Sequence, residues 1–270
     1  MDHFYLTLPS NSSEVFYGKQ SMSNYKTHLA KELRLDVDEW EVGLAEIIYP
    51  HTWNNVTEGT FHVKVLDNEQ WVWKDVKVPS ASYETPSQLI DTMNGLVQSL
   101  LSGNQKDKIR FYYHYLTRKV TVYVAEGYMV RLCKFLSKTL GFGDLVAHLR
   151  QSKNVDNFGV VEKEERIVYS NSKILAPFCL DLNRGLHTFF VYCDLVQYQL
   201  VGDAYVPLLR TVPVTGKSGD VLVRTFDNIH YVPLSRSTFQ KVEIHITDDT
   251  GLQVPFQQGR VIVKLHFRRK

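Results

Sequence analysis

One three-residue motif in the sequence has the composition of a catalytic loop. Asp249-Thr250-Gly251 matches the Asp-Thr-Gly loop of aspartic proteases, in which two neighbouring carboxylates share one proton. The motif occurs once in 270 residues, so an enzyme of this kind would need a dimer to supply the second carboxylate. Asp248-Asp249-Thr250-Gly251 between alternating segments also has the composition of a plain hairpin turn. We therefore favour a turn and keep a dimeric aspartic protease as an alternative.

A second motif, Gly216-Lys217-Ser218, resembles the end of a phosphate-binding loop. That loop needs a further glycine five residues before the second one, and this position is Thr211. It also needs a helix directly afterwards, whereas Pro213 and Gly219 bracket a turn. The sequence therefore predicts a β-turn here and no nucleotide cofactor.

Cysteine and histidine, the other residues suited to nucleophilic or metal chemistry, are scattered. Cys133, Cys179 and Cys193 form no close pair and no zinc-type spacing, which predicts reduced, buried thiols. Cys193 has His187 nearby in sequence, but the alternation along 189–193 places its sulfur among buried side chains. None of the ten histidines forms a helical pair at metal spacing. We therefore expect no catalytic, cofactor-binding or metal-binding residues.

Charge and hydropathy indicate a soluble protein with no general affinity for nucleic acid or membranes. The net charge is +2, and the densest basic cluster is Arg268-Arg269-Lys270 at the end of the chain. This cluster predicts a solvated terminus and leaves a weak nucleic-acid contact as the alternative. No apolar run approaches the roughly 18 residues of a membrane helix, so we expect an intracellular protein with no membrane contact.

Alternating apolar and polar residues predict the elements that would position any such groups. Period-two alternation marks the segments at 4–8, 40–49, 61–65, 242–246 and 261–267. The polar opposite face of each segment predicts sheets that are buried on one side, as in a sandwich or barrel. The frequent aromatic and β-branched residues favour the same mainly-β class.

One segment departs from this β pattern. Thr85 and Gln88 form the capping box of a helix that has Pro86 at its first position, and apolar residues at helical spacing continue to Leu100. Gly103 is placed to terminate that helix. A hairpin with strands at Ile109–Tyr115 and Val120–Val124 is predicted next, followed by a short helix at Phe135–Leu140. Farther on, the polar stretch 151–165 predicts an exposed loop.

Three blocks of the sequence, taken in order, resemble one protein family. The first block is Phe4–Ser13 with Glu39–Ile47, and the middle block is the helix and hairpin followed by Leu140-Gly141-Phe142. The third runs from Val191 through Val201-Gly202-Asp203 and His230–Leu234 to Gly259–Val263. In order and spacing the blocks are similar to the penton (minor capsid) protein of Polinton/Maverick elements and their adintovirus and virophage relatives.

The resemblance implies a jelly-roll β-sandwich built from residues 1–79 and 146–270, with 80–145 as an inserted helix–hairpin–helix elaboration. It implies a non-enzymatic subunit that forms homopentamers at the fivefold vertices of an icosahedral shell, beside a major capsid protein of the double jelly-roll type. The expected location is the virion capsid, after synthesis in the host cytoplasm and assembly there or in the nucleus. It carries over no catalytic, cofactor or metal residues.

A ligand- or glycan-binding β-sandwich is the main alternative to a capsid subunit. Exposed aromatic rings stack on sugars, and Trp53, Trp71 and Trp73 are the candidates for such rings. Tryptophans at strand ends more often fill a core, so the same residues also fit a purely structural role.

Overall fold

Antiparallel strands make up most of the protein, whose computed structural model describes residues 2–57, 59–101, 103–143, 167–183 and 186–270. In chain order the elements are β1 (His3–Pro9), α1 (Glu14–Tyr17), β2 (Asn24–Arg34), β3 (Trp40–Pro50), β4 (Gly59–Asp67), β5 (Gln70–Val78), α2 (Pro86–Leu100), a 3-10 turn (Gly103–Gln105), β6 (Ile109–His114), β7 (Lys119–Leu132), α3 (Lys134–Thr139), β8 (Ile167–Leu175), β9 (Thr188–Cys193), β10 (Gln199–Val201), β11 (Ala204–Val206), β12 (Leu208–Pro213), β13 (Val221–Thr225), β14 (Val232–Pro233), β15 (Thr238–Thr247) and β16 (Ile262–Arg269). Within the described ranges, no helix is long and apolar enough to cross a membrane. The predicted mainly-β class is confirmed.

The chain divides into two units, each with its own hydrophobic core. The first unit consists of Met1–Trp53 and Gly185–Lys270, and the second consists of Asn54–Arg184. The second unit is therefore an insertion into the first, placed in sequence between β3 and β9.

The first unit is a sandwich of two antiparallel sheets. One sheet has the order β1-β16-β3-β13, with the two-residue β14 also paired to β3, and the other has the order β12-β9-β15-β2. When the eight main strands of this unit are numbered from one to eight along the chain, their order is 1-8-3-6 in one sheet and 5-4-7-2 in the other. This is the strand order of a jelly roll, so the predicted sandwich is confirmed.

The alternation read from the sequence gives the sandwich its core. On β16, Val263, Leu265 and Phe267 are fully buried, and the residues between them are partly exposed. Across β1 and β16, Phe4 lies opposite Phe267, and the two rings stack with centroids 4.8 Å apart. A one-residue slip of β16 would turn this whole apolar set towards solvent, so the alternation also fixes the register.

In the second unit, α2 covers one face of a sheet of order β5-β4-β7-β6. Strand β8 also pairs with β7 in this sheet. The predicted capping box is present, with Thr85 accepting from the Gln88 N–H and Gln88 bonding back to the cap backbone. Asn94 links helix to strand, because its amide donates to the Phe111 carbonyl (2.8 Å) and accepts from the Phe111 N–H (2.9 Å). The helix buries the apolar residues Leu89, Ile90, Met93 and Val97.

The insertion is larger than the segment 80–145 that the sequence predicts. β4 and β5, which fall in the expected jelly-roll segment 1–79, belong to the inserted sheet because β4 pairs with β7 over Phe61–Lys64. β8, which falls in the expected jelly-roll segment 146–270, pairs along β7 as well. Alternation indicates that a strand is half-buried but does not indicate which strand it pairs with. Strands of the inserted sheet and of the jelly roll therefore give the same local signal.

Two local boundaries also differ from those predicted. β7 extends past Val124 to Leu132, across an irregular stretch that contains Gly127 at a φ of 82°. Helix α2 ends at Leu100 with Leu101 extended, so Gly103 (φ 54°) begins the 3-10 turn and is not the residue that terminates the helix. The loop predicted at 151–165 lies outside the described residues.

Candidate interaction surfaces

The Asp-Thr-Gly motif lies in the turn after β15, and the preceding Asp248 holds this turn together. Its Oδ1 accepts hydrogen bonds from the Thr250 N–H (2.9 Å), the Thr250 hydroxyl (2.7 Å) and the Leu252 N–H (2.9 Å). Gly251 has a φ of 84°, the left-handed conformation that favours glycine. Asp249 is exposed. The motif therefore has the geometry of the favoured turn, in which Asp248 is the structural carboxylate.

Replacing the two aspartates separately distinguishes a turn from a protease. We expect Asp248→Ala to lower the free energy of unfolding by about 1 kcal/mol, since three hydrogen bonds lose their acceptor at an exposed site. We expect Asp249→Asn, the control, to change neither stability nor any peptide cleavage. Urea denaturation and a peptide-cleavage assay on the two variants measure both effects. Loss of a measurable protease activity in Asp249→Asn would contradict the turn interpretation.

The Gly-Lys-Ser motif also forms a turn. The Lys217 N–H donates to Oδ2 of Asp220 (2.8 Å), and the Asp220 N–H donates to the Lys217 carbonyl (3.1 Å). Strand β13 follows at Val221, where a phosphate-binding loop needs a helix. The arrangement offers no row of free backbone N–H groups at a helix N-terminus for a phosphate.

Cys193 does not form a reactive site. Cys193 is 1% exposed, and burial raises the pKa of its thiol to about 12, so the nucleophilic thiolate is scarce at neutral pH. The prediction of buried thiols is wrong for Cys179, which is exposed, and Cys133 is half-buried. All three are free thiols. Among the described residues, no group of three or more His, Cys, Asp or Glu side chains is placed to hold a metal ion.

The basic residues at the C-terminus are held against the first sheet by acidic partners. Arg268 and Arg269 belong to β16, where Nε of Arg268 donates to Glu41 (2.6 Å) and Arg269 pairs with Glu39 (2.6 Å). The Lys270 ammonium donates to a backbone carbonyl at 3.3 Å. Two of the three positive charges therefore face a carboxylate, which weakens the electrostatic case for a nucleic-acid contact here.

The tryptophans named as sugar-stacking candidates have different surroundings. Trp53 is 5% exposed and lies in the core of the first unit, edge-on to Phe189. Trp71 and Trp73 on β5 are 42% and 40% exposed. Arg131 covers the Trp73 ring at 4.6 Å from its centroid. Trp53 is thus closed to a ligand, and only the two β5 tryptophans are open to solvent.

A cluster of imidazole and phenol rings joins β1 to β16. His266 stacks on Tyr5 (centroids 4.4 Å apart), meets His3 edge-on, and has Nδ1 2.7 Å from the Tyr231 hydroxyl. The Arg268 guanidinium lies over the Tyr231 ring at 3.5 Å. Burial, then His3 and Arg268, lower the pKa of His266 below its ordinary value of 6.5.

This lowered pKa predicts acid sensitivity of the first unit. The unfolded chain takes up the His266 proton at a higher pH than the folded chain, so stability is intact above about pH 6.5 and falls as the pH drops below it. We expect His266→Gln to lose less stability than the natural protein between about pH 7.5 and about pH 5. Urea midpoints at the two pH values measure this difference. Equal losses in both proteins would contradict the prediction.

The first unit also exposes apolar side chains that its own core does not use. On the β10–β11 hairpin, Leu200 and Tyr205 are 82% and 66% exposed, and Tyr198, which directly precedes β10, is 54% exposed. On β13, at the edge of its sheet, Val221 and Val223 are 69% and 57% exposed. Exposed apolar groups beside an open strand edge are typical of surfaces that contact other proteins.

The sequence analysis did not single out this hairpin. The signal was nevertheless present, because Gly202-Asp203 separates two short runs of strand-forming residues, as in a two-residue hairpin turn. Gly202 has a φ of 61°, as that turn requires. The aromatic residues on either side of the turn identify the hairpin as a candidate contact.

Comparison with known proteins finds similarity of fold without similarity of sequence. No protein-family model and no curated protein matches the chain. Among solved structures, the chain is similar over its full length to a chain in the cryo-EM structure of the Sputnik virophage, with a TM-score of 0.50, 11% identity and 98% of that chain covered. It also aligns with the crystal structure of the selenomethionine-labelled mavirus penton protein, with a TM-score of 0.49, 12% identity and both chains fully covered.

Proposed function

We propose that this protein is a structural minor capsid subunit of the penton type, without catalytic activity, in an icosahedral virus-like shell. The observation that carries the proposal is the jelly-roll strand order of the first unit, in a chain that shares its fold from end to end with a chain of the Sputnik virophage. The family resemblance of the three sequence blocks supports the same conclusion. A capsid subunit of this kind works through its surfaces and needs no catalytic group.

The edges of the sandwich are the surfaces suited to assembly. β1 and β13 lie at the ends of one sheet, and β12 lies at one end of the other, so both sheets have an edge strand that a neighbour can contact. At the remaining edge, Ser13 and Gln20 bond the backbone of β2. Heterologous contacts between identical wedges close into a ring when the rotation is correct. We propose that five copies close in this way, with the exposed valines of β13 and the β10–β11 hairpin as contact candidates.

The expected partners follow from a position at the fivefold vertex. They are four further copies of this chain and a surrounding major capsid protein of the double jelly-roll type. The protein would then be located in the virion capsid of a Polinton, adintovirus or virophage-like element, after synthesis in the host cytoplasm and assembly there or in the nucleus. Any contact of Arg268, Arg269 and Lys270 with nucleic acid would be weak, because glutamates already pair with both arginines.

The mass of the purified protein in solution tests this proposal. Light scattering at several concentrations should reveal a particle of five 31.3 kDa chains, and negative-stain images should show rings with fivefold symmetry. Co-expression with a major capsid protein should incorporate the chain into closed shells at the vertices. A chain that stays monomeric at every concentration and is excluded from those shells is not a penton.

A substitution on an open edge strand and a matched control substitution test which surface forms the ring. Val223→Lys places a charge on the exposed face of the edge strand β13, where it should weaken the ring. Leu252→Lys, at a position that is 68% exposed in the turn after β15, serves as the control. We expect dissociation of the first variant alone, and equal assembly of both would remove β13 from the contact surface.

A further inference from the structure

One face of the inserted sheet is not covered by its own core. Phe111 and Val122 lie directly opposite each other and are buried in the core that α2 covers. In the adjacent register position, Arg110 lies opposite Tyr123, which lies opposite Lys173 on β8. Opposed residues share a face and successive residues alternate between faces, so these three side chains lie on the face away from α2. We call this the outer face of the inserted sheet.

The outer face carries exposed aromatic rings. Tyr112 and Tyr123, on β6 and β7, are 45% and 37% exposed and occupy diagonal positions, which are about 7–8 Å apart in a sheet. Trp73 on β5 lies opposite Lys64 on β4, whose neighbours along the strand are buried in the core. Trp73 is therefore on the outer face too, and the Arg131 guanidinium covers its ring at 4.6 Å from the centroid. Rings from three strands thus share one open face.

Positive charge dominates the same face. At its strand-paired positions the basic residues are Lys64, Lys77, Arg110, Lys119, Arg131 and Lys173. Among the described residues at these positions, Asp75 is the one acidic residue, and its carboxylate lies 2.5 Å from Nδ1 of His62. Within the described parts of the chain, the lysines of this set have no carboxylate partner, whereas Arg110 pairs with Asp107 at 2.7 Å. The face therefore presents unpaired cations between aromatic rings, which suits a polyanion with planar groups.

We propose that the outer face binds single-stranded nucleic acid, with bases stacked on its exposed rings and phosphates paired with its lysines. Surfaces of this composition bind single strands, because every unpaired base has a face that stacks on an aromatic ring and every nucleotide carries a phosphate. A duplex keeps its bases stacked on one another, and an acidic polypeptide offers carboxylates but no row of planar groups, so both would leave the tyrosines unused. The proposal does not depend on the capsid role, since the outer face lies wholly within the inserted unit.

Fluorescence anisotropy on the full-length protein tests the proposal. The probes are a labelled oligothymidylate of about twelve nucleotides and its duplex with oligoadenylate of the same length. The single strand should bind more tightly than the duplex. For three or four paired phosphates, its association constant should fall about 20- to 50-fold between about 50 mM and about 200 mM salt, because binding releases counterions.

Variants of one ring and one lysine separate stacking from charge. Tyr123→Ala should weaken single-strand binding about 5- to 150-fold, the usual effect of removing one stacking ring. Lys173→Gln should also weaken binding and should lower the salt dependence by about one phosphate contact. Tyr115→Ala is the ring control, because the Tyr115 ring is exposed and its hydroxyl contacts Ser87 of α2 on the other face. Lys19→Gln, at an exposed lysine of the first unit, is the charge control. Both controls should bind as the natural protein does.

Each of four results would overturn the proposal: no binding of the single strand at about 50 mM salt, equal affinity for the duplex, unchanged binding in Tyr123→Ala, or equally tight binding of polyglutamate. The last result would identify an acidic protein as the partner of this face. Both outer-face variants alter exposed side chains, so circular dichroism should show natural folding and any lost binding then reflects the face. Tyr112→Ala repeats the ring test at a second position, should Tyr123→Ala disturb the sheet.

Discussion

Gly141→Ala, which adds a single carbon atom, should be among the most destabilising substitutions in the second unit. Gly141 has a φ of 84°, and a Cβ there would overlap the Phe178 carbonyl oxygen and lie 2.8 Å from the Cys179 carbonyl oxygen. These are backbone atoms, so the clash cannot be relieved by a side-chain rotation. The left-handed conformation alone costs an L-residue about 1–2 kcal/mol, and displacing the chain at 178–179 adds to it. We expect a loss on the order of 2–4 kcal/mol in the free energy of unfolding.

Gly95 provides a matched control in the same unit. It lies inside helix α2 at a negative φ, and a Cβ there would meet nothing within 4 Å. Gly95→Ala should therefore stabilise the helix by about 0.5–1 kcal/mol, the helix-propensity difference between the two residues. Hydrogen exchange measured on peptides of 86–143 reports the stability of this unit for both variants. Equal protection in Gly141→Ala and the natural protein would show that the backbone at 178–179 adapts freely.

Local patterns in the sequence were sufficient for the elements and for one capping motif. Thr85 and Gln88 predict the start of α2 because a capping box is formed within four residues of chain. The hairpin of β4 and β5 depends on its turn in the same local way, because Asn68 and Glu69 have positive φ values of 48° and 64°. Each of these features depends on neighbours in sequence, which a single chain displays directly.

Partners that are distant in sequence could not be predicted in this way. β4 pairs with β7 some seventy residues later, and nothing in the alternation at 61–65 distinguishes this partner from a jelly-roll strand. The limits of the insertion were misplaced for that reason. Local patterns do not give the strand order of the jelly roll, because β1 pairs with β16 at the opposite end of the chain. The jelly roll was therefore predicted from the family resemblance.

The candidate surfaces were harder to predict than the fold. His3 and His266 are at opposite ends of the chain, and their rings meet only because β1 pairs with β16. Arg268 and Arg269 are exposed, and the pairing of β16 with β3 brings them to Glu41 and Glu39, partners that local sequence does not indicate. Both outcomes are set by strand register, which converts distant residues into neighbours on one face.

Phe189→Ala should have the largest effect in the first unit. Phe189 is fully buried, and its ring meets Tyr49, Trp53 and Phe256 edge-on, with centroids 4.9, 5.7 and 5.8 Å away. Removing a buried phenylalanine ring costs about 3–5 kcal/mol, because the apolar contact is lost and a cavity remains. A domain of this size is stable by only about 5–15 kcal/mol, so we expect a large fall in the urea midpoint of the jelly roll.

The Phe189→Ala variant also tests whether the jelly roll alone sustains assembly of the pentamer. Phe189→Ala should lower hydrogen-exchange protection on peptides of 40–53 and 238–247 and leave 86–143 unchanged, since the two units have separate cores. Val15→Ala, at a side chain that is 96% exposed, is the control and should leave both regions protected. If the jelly roll forms the ring of five subunits, Phe189→Ala should also abolish the pentamer. Loss of protection in both units would show that the insertion depends on the sandwich for its stability.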